Sequence, residues 1–319
     1  MAPGEPARSS PVVAIVGPTA SGKSDLGVGI AEEFAGEIVN YDSVQIFRHL
    51  NIGTAKPASA ERDRVPHHLI DILEPGEIFS AGDYQRRARQ LLVQLRGRSK
   101  LPVLVGGSGF YLRAVVEGLF EGPQRSGELR ARLEATADQR GREYLHRVLR
   151  RMDPVTANRI APRDKPKVIR AIEVCLATGR TLSRHLETEP RRPLRGFDFC
   201  VVGLDPPRTL LYERIDARVR GMFDRGLVEE VHDLLEIGIS RDAKAFQAIG
   251  YRQVLDYLAG NIPMEEAIIL MQRETRRYAK RQITWFKRQH TATWFDGFGD
   301  DKEIRKKIHR VINHHVSEG

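Results

Sequence analysis

The fold is decided by the stretch Gly17-Pro18-Thr19-Ala20-Ser21-Gly22-Lys23-Ser24, which matches the phosphate-loop (P-loop) pattern G-x-x-x-x-G-K-[ST]. The glycines let successive backbone N–H groups turn inward on a phosphate, and the helix that follows adds its positive N-terminus. Lys23 would contact the terminal phosphate, and the hydroxyl of Ser24 would bind Mg²⁺. An apolar run at residues 12–16 precedes the stretch, and a helical pattern over residues 23–34 follows it. The sequence therefore predicts a phosphate site between a strand and a helix.

Further short runs rich in β-branched residues recur along the chain, separated by stretches with helical periodicity. These runs cover residues 37–41, 69–73, 101–105 and 199–204. The alternation predicts an α/β fold: a P-loop NTPase-like core with a mainly parallel sheet. The run at 101–105 ends in Gly106-Gly107-Ser108-Gly109, where a nucleotide hydrolase would usually show a magnesium-binding Asp. This weakens an NTPase function without excluding it.

The predicted secondary structure changes near residues 121–123. From there to about Pro190 it shows amphipathic helical segments and no convincing strand; the segments are 128–137, 142–151 and 167–178. We therefore predict an inserted all-helical domain over residues 123–195, within a discontinuous core formed by residues 10–122 and 196–319. After Asp205 the pattern is helical almost to the end, with one long helix across residues 264–290.

Composition is that of an ordinary globular protein, with 41% hydrophobic and 29% charged residues. No run approaches eighteen apolar residues, and the first ten residues lack the apolar stretch of a signal peptide. Cys175 and Cys200 are the two cysteines in the sequence, too few for a disulfide framework or a cysteine zinc site. These features predict a reduced, cytoplasmic protein with no membrane partner, and we expect it to be a monomer.

The net charge of +9 is unevenly distributed. Residues 1–120 carry 13 Lys/Arg and 13 Asp/Glu, whereas residues 121–195 carry 18 basic and 10 acidic residues. A neutral part beside a basic part suggests a polyanionic partner larger than one nucleotide. A solvated, arginine-rich surface is an equally good explanation of the charge alone.

Two polar residues that follow predicted strands each allow two interpretations. Asp42 follows the run at 37–41, so its carboxylate would lie near the ligand of the P-loop at the carboxyl edge of the sheet. It could instead cap the next helix through Ser43, and spacing alone favours the cap. Ser108 could likewise cap the helix that follows it or present its hydroxyl to a phosphate oxygen.

Two other groups of residues favour a structural role. His67 and His68 lack nearby partners with metal-ligand spacing, so packing at a strand edge is the favoured interpretation. Trp285 and Phe286 lie among basic residues, a combination that suits contact with phosphates and bases. For these aromatic residues, burial on one face of an amphipathic helix is favoured.

Several segments together resemble the tRNA dimethylallyltransferase family, bacterial enzymes that isopentenylate adenine 37. The resemblance spans about residues 12–290. The segments that carry it are Gly17–Ser24, Asp42-Ser43-Val44-Gln45-Ile46-Phe47-Arg48, Gly53-Thr54-Ala55-Lys56-Pro57, His67-His68-Leu69-Ile70-Asp71, Gly106-Gly107-Ser108-Gly109-Phe110-Tyr111-Leu112, Arg170-Ala171-Ile172-Glu173-Val174, Ala248-Ile249-Gly250-Tyr251 and Thr275-Arg276-Arg277-Tyr278-Ala279-Lys280-Arg281-Gln282-Ile283-Thr284-Trp285-Phe286. Departures are small: the family more often has Thr at positions 24 and 108, and Arg at position 167.

The resemblance implies transfer of a dimethylallyl group from dimethylallyl diphosphate to the N6 amine of adenine 37 in tRNA. Asp42 would be the general base, Ser108 and Arg218 would assist at the diphosphate, and Ser24 would ligate Mg²⁺. The diphosphate would bind Gly17, Thr19, Ala20, Ser21, Gly22, Lys23 and Ser24. The anticodon stem-loop of tRNA would contact Asp42, Ser43, Val44, Gln45, Ser108, Arg130, Pro166, Lys167, Val168, Ile169, Arg170, Gln247, Ala248, Ile249, Gly250, Tyr251 and Arg252.

Three other functions remain open from the residues alone. A P-loop kinase of a small metabolite would place ATP in the loop and use Asp42 to activate a hydroxyl. A prenyltransferase acting on a free adenine nucleotide needs no RNA-binding insertion, so the basic segment argues against it. A non-catalytic RNA-binding protein would have no use for the P-loop and Asp42 together.

Overall fold

The computed structural model describes residues 9–120, 122–123, 126–189, 191–289 and 291–318. The chain divides into two compact units: the first joins the residues up to Val116 to those from Leu194 onward, and the second is Glu117–Pro193. Sequence analysis predicts the corresponding insertion over residues 123–195. In the described part of the chain, no helix is long and apolar enough to cross a membrane.

The first unit is built on a parallel sheet of six described strands in the order β3-β2-β4-β1-β5-β6. The strands are β1 (Ser10–Val16), β2 (Glu37–Asn40), β3 (His67–His68), β4 (Pro102–Val105), β5 (Phe197–Leu204) and β6 (Thr293–Phe295). Alternate residues of β1 pack on opposite faces: Val12 and Ala14 join one apolar cluster, while Val13 and Ile15 join another. Burial on both faces explains why the strands read as continuous apolar runs. The predicted α/β class and P-loop NTPase-like core are confirmed.

Helices cover both faces of this sheet and supply the two apolar clusters. Those of the first unit are α1 (Lys23–Glu33), α2 (Ser59–Arg64), α3 (Ala81–Gly97), α4 (Gly109–Val116), α10 (Arg208–Asp224), α11 (Leu227–Glu236), α12 (Tyr251–Leu258), α13 (Met264–Gln289) and α14 (Lys302–Glu318). A short 3₁₀ helix, Lys244–Gln247, precedes α12. Helix α13 corresponds to the long helix predicted across residues 264–290, of which His290 lies outside the described residues.

The predicted strand at residues 69–73 is wrong. The edge strand is the two-residue β3, and the later segment makes a single bridge between Phe47 and Leu73. Leu69 and Asp71 have φ of 61° and 55°, a left-handed conformation that interrupts an extended strand. Asp71 is held there by ion pairs with Lys56 and Arg62, at 2.5 and 2.7 Å. The ion pairs of Asp71 therefore stabilise a left-handed conformation where the apolar pattern predicts a strand.

Strand β6 is missing from the sequence prediction, which extends helical structure almost to the end of the chain. Its three residues pair with the end of β5, with Gly203 opposite Trp294. A side chain at position 203 would collide with the Trp294 ring, because a Cβ built there lies 2.6 Å from its Cε3. Three residues are too few to produce a recognisable period, so only the partner strand identifies β6.

The second unit is all-helical in its described residues, as predicted. Its helices are α5 (Gly127–Arg140), α6 (Arg142–Met152), α7 (Pro154–Arg159), α8 (Lys165–Thr178) and α9 (Leu182–Thr188). Leu149, Val168 and Ile172 belong to its own apolar cluster. Asp153 is buried and caps α7 by accepting the backbone N–H of Thr156 at 3.0 Å. This unit therefore has its own core.

Candidate functional site

The P-loop connects β1 to α1 in the described strand–loop–helix order. Ala20 and Gly22 have φ of 65° and 86°, the left-handed conformation that turns backbone N–H groups toward one side. The loop is supported from outside by Gly299, whose N–H donates to the Ser21 carbonyl at 2.8 Å. The two glycines are in close contact, since a Cβ on Gly22 would lie 3.0 Å from the Gly299 nitrogen.

Lys23 is buried at the start of α1, with 8% of the residue exposed. Its Nζ donates to the carbonyl of Pro18 at 2.6 Å, which directs the amine across the loop. Burial lowers the pKa of Lys23 to about 7, helped by the nearby charge of Arg218 and opposed by Asp42. A buried cation of this kind gains from any anion that replaces its lost hydration.

Arg218, on α10, is a second cation beside the loop. Its Nη1 lies 3.5 Å from the Thr19 hydroxyl oxygen, as a hydrogen-bond donor. Burial lowers the pKa of Arg218 from its usual value, and Asp42 opposes that shift. Lys23 and Arg218 therefore lie around the same loop as two desolvated positive charges.

Asp42 lies two residues after the end of β2 and is half-buried. Its Oδ1 accepts the backbone N–H groups of Val44 at 2.9 Å and Gln45 at 3.3 Å, so one oxygen caps a turn. No helix begins there; residues 43–50 form turns and a single bridge. Its Oδ2 faces Gly107, where a built Cβ would lie 2.9 Å away. The carboxylate thus has one oxygen bound to the turn and a second oxygen beside Gly107, which is a residue of the cavity lining.

Ser108 connects the loop after β4 to the Asp42 turn. Its Oγ accepts the backbone N–H of Ser43 at 3.2 Å, and its own N–H donates to the Tyr41 carbonyl at 3.2 Å. Accepting one hydrogen bond leaves the hydroxyl proton available as a donor. Ser108 lies next to Gly106 and Gly107, which line the cavity.

Two residues of α13 complete the site and were not singled out by the sequence analysis. The Gln282 Oε1 accepts the Thr19 N–H at 2.8 Å, and its Nε2 donates to the Gly107 carbonyl at 2.9 Å. The Tyr278 hydroxyl donates to the same carbonyl at 3.1 Å. One feature of the sequence could have identified them. They are two polar residues four positions apart, on the face of α13 that also buries Ala279 and Phe286.

These groups enclose a cavity of about 280 Å³. Its lining combines the P-loop, Asp42, Arg218, Tyr278 and Gln282. Gln45 is also in the lining, where its Nε2 donates to the carbonyls of Thr54 and Ala55, both at 3.1 Å. One cavity therefore contains a phosphate cradle at one part of its wall and a carboxylate at another.

Glu230 holds the loop against which Gln45 is anchored. Its carboxylate accepts the backbone N–H groups of Asn51, Ile52 and Gly53 at 2.7 to 3.2 Å. It also accepts the Tyr251 hydroxyl at 2.6 Å. The Tyr251 side chain is fully buried, so its predicted contribution to RNA binding would be to position this loop.

The other predicted RNA contacts of the first unit surround Tyr251. Gln247 and Arg252 are exposed, Ala248 and Ile249 are half-buried, and Gly250 is buried. They lie between the 3₁₀ helix and the first turn of α12. The exposed side chains of Gln247 and Arg252 are accessible to a large partner, and the segment stays a prediction.

In the second unit, Arg130 and Arg170 flank the buried carboxylate of Glu173. Their Nη1 atoms lie 4.0 and 3.8 Å from its Oε2. Each arginine side chain is 26% exposed, whereas that of Glu173 is 3% exposed. The carboxylate thus holds two half-buried arginines close together near the surface of this unit.

The remaining predicted contacts of the second unit begin α8. Pro166 lies in its first turn, and the Lys167 side chain is 71% exposed while its Nζ pairs with Asp164 at 2.5 Å. The side chains of Val168 and Ile169 are buried in the core of the unit. Any contact of these two residues with RNA would therefore come from their backbone.

The histidines and aromatic residues adopt structural positions. The His68 Nε2 pairs with Glu37 at 2.6 Å, and the His67 Nδ1 lies 2.7 Å from the Val65 carbonyl. Phe286 is fully buried, and Trp285 packs partly buried against the same core. The strand-edge position predicted for the histidines and the burial predicted for the aromatic residues are confirmed, and His67 also contributes to the lining of the cavity.

The parallel sheet and the phosphate loop, with two desolvated basic side chains and a carboxylate lining the same cavity, define the class of P-loop proteins. Comparison with known proteins narrows this class. The family model described as IPP transferase matches residues 45–289. The chain belongs to this family of tRNA dimethylallyltransferases, which confirms the resemblance found in the sequence.

Individual relatives match over nearly their whole length. A tRNA dimethylallyltransferase of Solibacter usitatus is 51% identical over 93% of this chain and 96% of its own. One from Koribacter versatilis is 49% identical with the same coverage of both chains.

Two solved structures are also similar. The full-length tRNA isopentenylpyrophosphate transferase from Bacillus halodurans has a TM-score of 0.72 and 40% identity, over 98% of each chain. A eukaryotic dimethylallyltransferase acting on tRNA has a TM-score of 0.82 and 26% identity, over 97% of this chain and 80% of that one.

Proposed function

We propose that this protein transfers a dimethylallyl group from dimethylallyl diphosphate to the N6 amine of adenine 37 in tRNA and releases diphosphate. The observation that carries this proposal is a single cavity lined by both the P-loop and the Asp42 carboxylate. A cradle for a leaving diphosphate and an acceptor for a proton are the two groups that such a transfer needs.

At the diphosphate end, the P-loop N–H groups, Lys23 and Arg218 would hold the ligand. As the allylic carbon–oxygen bond breaks, negative charge grows on the departing diphosphate. Cations already stripped of water stabilise that charge with little reorganisation. The burial of Lys23 and the contact of Arg218 with Thr19 support this role.

Mg²⁺ is the cofactor expected with this diphosphate, and the residues present fit it. Ser24, in the first turn of α1, is exposed and lies in the cavity lining, where its hydroxyl offers a hard oxygen donor. Mg²⁺ prefers such oxygen ligands and binds through one or two protein groups together with phosphates and water. When bound, it would supply charge neutralisation for the diphosphate.

At the acceptor end, Asp42 would take the proton. The exocyclic amine of adenine is a poor nucleophile because its lone pair is delocalised into the ring, so a base must remove the proton as the bond to carbon forms. The Oδ2 atom, which lies beside Gly107, would perform this task while Oδ1 maintains the turn. The Ser108 hydroxyl would donate near the bridging oxygen of the diphosphate.

The basic second unit would bind the tRNA mainly through contacts with the phosphate backbone of the RNA. Arg130 and Arg170, together with the start of α8 at residues 166–170, would meet phosphates of the anticodon stem-loop. Residues 43–45 and 247–252 of the first unit would also contact the tRNA, with Gln45 close to the target nucleotide. The adenine must leave its stack to enter the cavity, and a protein that grips the loop can hold it in that state.

The decisive experiment offers radiolabelled dimethylallyl diphosphate to the protein with tRNA, AMP or ATP in parallel. We expect label on tRNA and none on the free nucleotides. Label on AMP or ATP alone would point to a free-nucleotide prenyltransferase. ATP-dependent phosphorylation of a metabolite without prenyl transfer would point to a kinase.

A further inference from the structure

The wall of the cavity is formed partly by two glycine-containing loops that belong to different strands. The P-loop follows β1, and residues 106–109 follow β4, which pairs with β1 in the sheet. The first loop carries the phosphate cradle, and the second lies against Asp42 at Gly107. Their separation sets the distance between the diphosphate and the proposed base.

Gln282 spans the two loops with one amide group. Its Oε1 accepts from Thr19 N–H at 2.8 Å while its Nε2 donates to the Gly107 carbonyl at 2.9 Å. The residue is 4% exposed, so these bonds have little competition from water. Its carboxamide presents a donor and an acceptor on one planar group, so a single side chain can hold both loops.

We infer that Gln282 is a positioning residue that holds the diphosphate loop and the Asp42 side of the cavity at a fixed separation. This inference rests on the proposed function. Group transfer is fastest when the reacting atoms are already about 3 to 3.5 Å apart and aligned, and small displacements cost large factors in rate. Both hydrogen bonds of Gln282 go to loop backbone, so it acts through the groups it holds.

Tyr278 also helps to hold the loop that contains Gly107. Its hydroxyl donates to the carbonyl that Gln282 also binds, and a carbonyl oxygen can accept two such bonds. Loss of the tyrosine hydroxyl alone leaves the carbonyl paired with Gln282. Loss of both donors leaves a buried acceptor unpaired, so the two substitutions should act non-additively.

The test uses Gln282→Met, which keeps the volume and removes both hydrogen bonds. We expect roughly tenfold weaker binding of magnesium diphosphate, because the Thr19 N–H loses its partner and the P-loop is no longer held. We also expect the single-turnover rate of transfer to tRNA, at saturating substrates, to fall by about tenfold or more. Gln282→Asn should show both effects in a milder form, since its amide is too short to span the loops.

Gln272→Met is the matched control. Gln272 lies on the same helix, is similarly buried, and donates to a backbone carbonyl, that of Asp216, at 3.2 Å. It should lower the melting temperature in a comparable way while leaving diphosphate affinity unchanged. The Gln282→Met, Tyr278→Phe double variant should lose more rate than the product of the two single losses.

Folded Gln282→Met and Gln282→Asn proteins with diphosphate affinity and rate both within threefold of wild type would overturn the inference. Equal losses in Gln272→Met would also overturn it, because they would mark a general effect of damaging α13. If the wild-type protein transfers nothing to tRNA, the proposed function fails. The diphosphate affinities alone then decide whether Gln282 holds the P-loop.

Discussion

The core cavity and the second unit each place two basic side chains near one carboxylate. They differ in which of these groups is buried. In the cavity the desolvated groups are the cations Lys23 and Arg218, whose pKa values are lowered by burial. In the second unit the buried group is the carboxylate of Glu173, and its two arginines remain a quarter exposed. The first arrangement suits one small anion that enters and replaces water. The second keeps charge at the surface, as contacts with an extended phosphate backbone require.

The largest effect on turnover should come from replacing Asp42, the carboxylate that lines the cavity. Asp42→Asn keeps the oxygen that caps the turn at Val44 but cannot take a proton. We expect turnover on tRNA to fall by about 10²–10⁴, the usual contribution of a positioned base. The affinity for tRNA should change much less, since it comes mainly from phosphate contacts elsewhere.

Single-turnover transfer by the Asp42→Asn protein decides between base and cap. Asparagine caps as well as aspartate does, so a purely structural role predicts an almost unchanged rate. A rate within about threefold of wild type would contradict the assignment of Asp42 as the base.

The lowered pKa of Lys23 predicts a pH dependence confined to the cavity. Diphosphate binds the ammonium form and raises its pKa, so binding above pH 7 must take up a proton. Affinity for dimethylallyl diphosphate should therefore be highest below the free-state pKa of about 7 and weaken as pH rises through and above it. The expected slope is about tenfold per pH unit until the pKa of the complex is reached.

Calorimetric titration of wild type and Lys23→Ala across pH 6 to 9 tests this dependence. The ligand's own titration is common to both proteins, so their difference isolates Lys23. Lys23→Ala should bind more weakly and lack the additional slope. Parallel pH profiles for the two proteins would show that Lys23 is charged throughout or takes no part in binding.

The smallest effect should come from substitutions in the second unit. It should appear as a weaker dependence of tRNA affinity on salt concentration. Removing Arg130 and Arg170 alone would leave Glu173 buried without its cations, which destabilises the fold. The triple variant Arg130→Gln, Arg170→Gln, Glu173→Gln avoids this. We expect it to reduce the slope of log K for tRNA against log salt by about one to two units, with diphosphate affinity unchanged.

A matched control removes two exposed arginines that are ion-paired in the first unit. Arg48 and Arg64 pair with Glu74 and Glu32 at 2.8 and 2.7 Å. Arg48→Gln with Arg64→Gln should leave the salt slope as in wild type. Equal slopes for the triple variant and wild type would remove Arg130 and Arg170 from the RNA interface.

The parts of the site that could be predicted are those with local physical signatures. The P-loop is recognisable because its glycines, lysine and hydroxyl must occur at fixed spacing around one phosphate. Asp42 follows from its position directly after a strand, where parallel sheets gather functional groups. The sequence could not decide between base and cap, and the structure explains why: the two carboxylate oxygens have different surroundings.

The parts that could not be predicted depend on partners far away in the chain. Gln282 is one glutamine in a polar helix until folding brings it to Thr19 and Gly107. Glu230 is likewise an ordinary surface acid until the N–H groups of residues 51–53 converge on it. The false strand at 69–73 has the same origin, because the ion pairs of Asp71 are formed with side chains outside that segment.

The contact between Gly299 and Ser21 has a consequence for how the chain is made. The P-loop is synthesised within the first 24 residues, yet its outer support arrives with residue 299. At a ribosomal rate of about 5–20 residues per second, roughly 14–55 s separate the two events. Strand β1 also waits for β5 at one edge until the whole helical unit has been translated. The nascent phosphate loop therefore lacks this support while the residues between it and Gly299 are translated, and we expect the helical unit to be folded before the loop can bind its ligand.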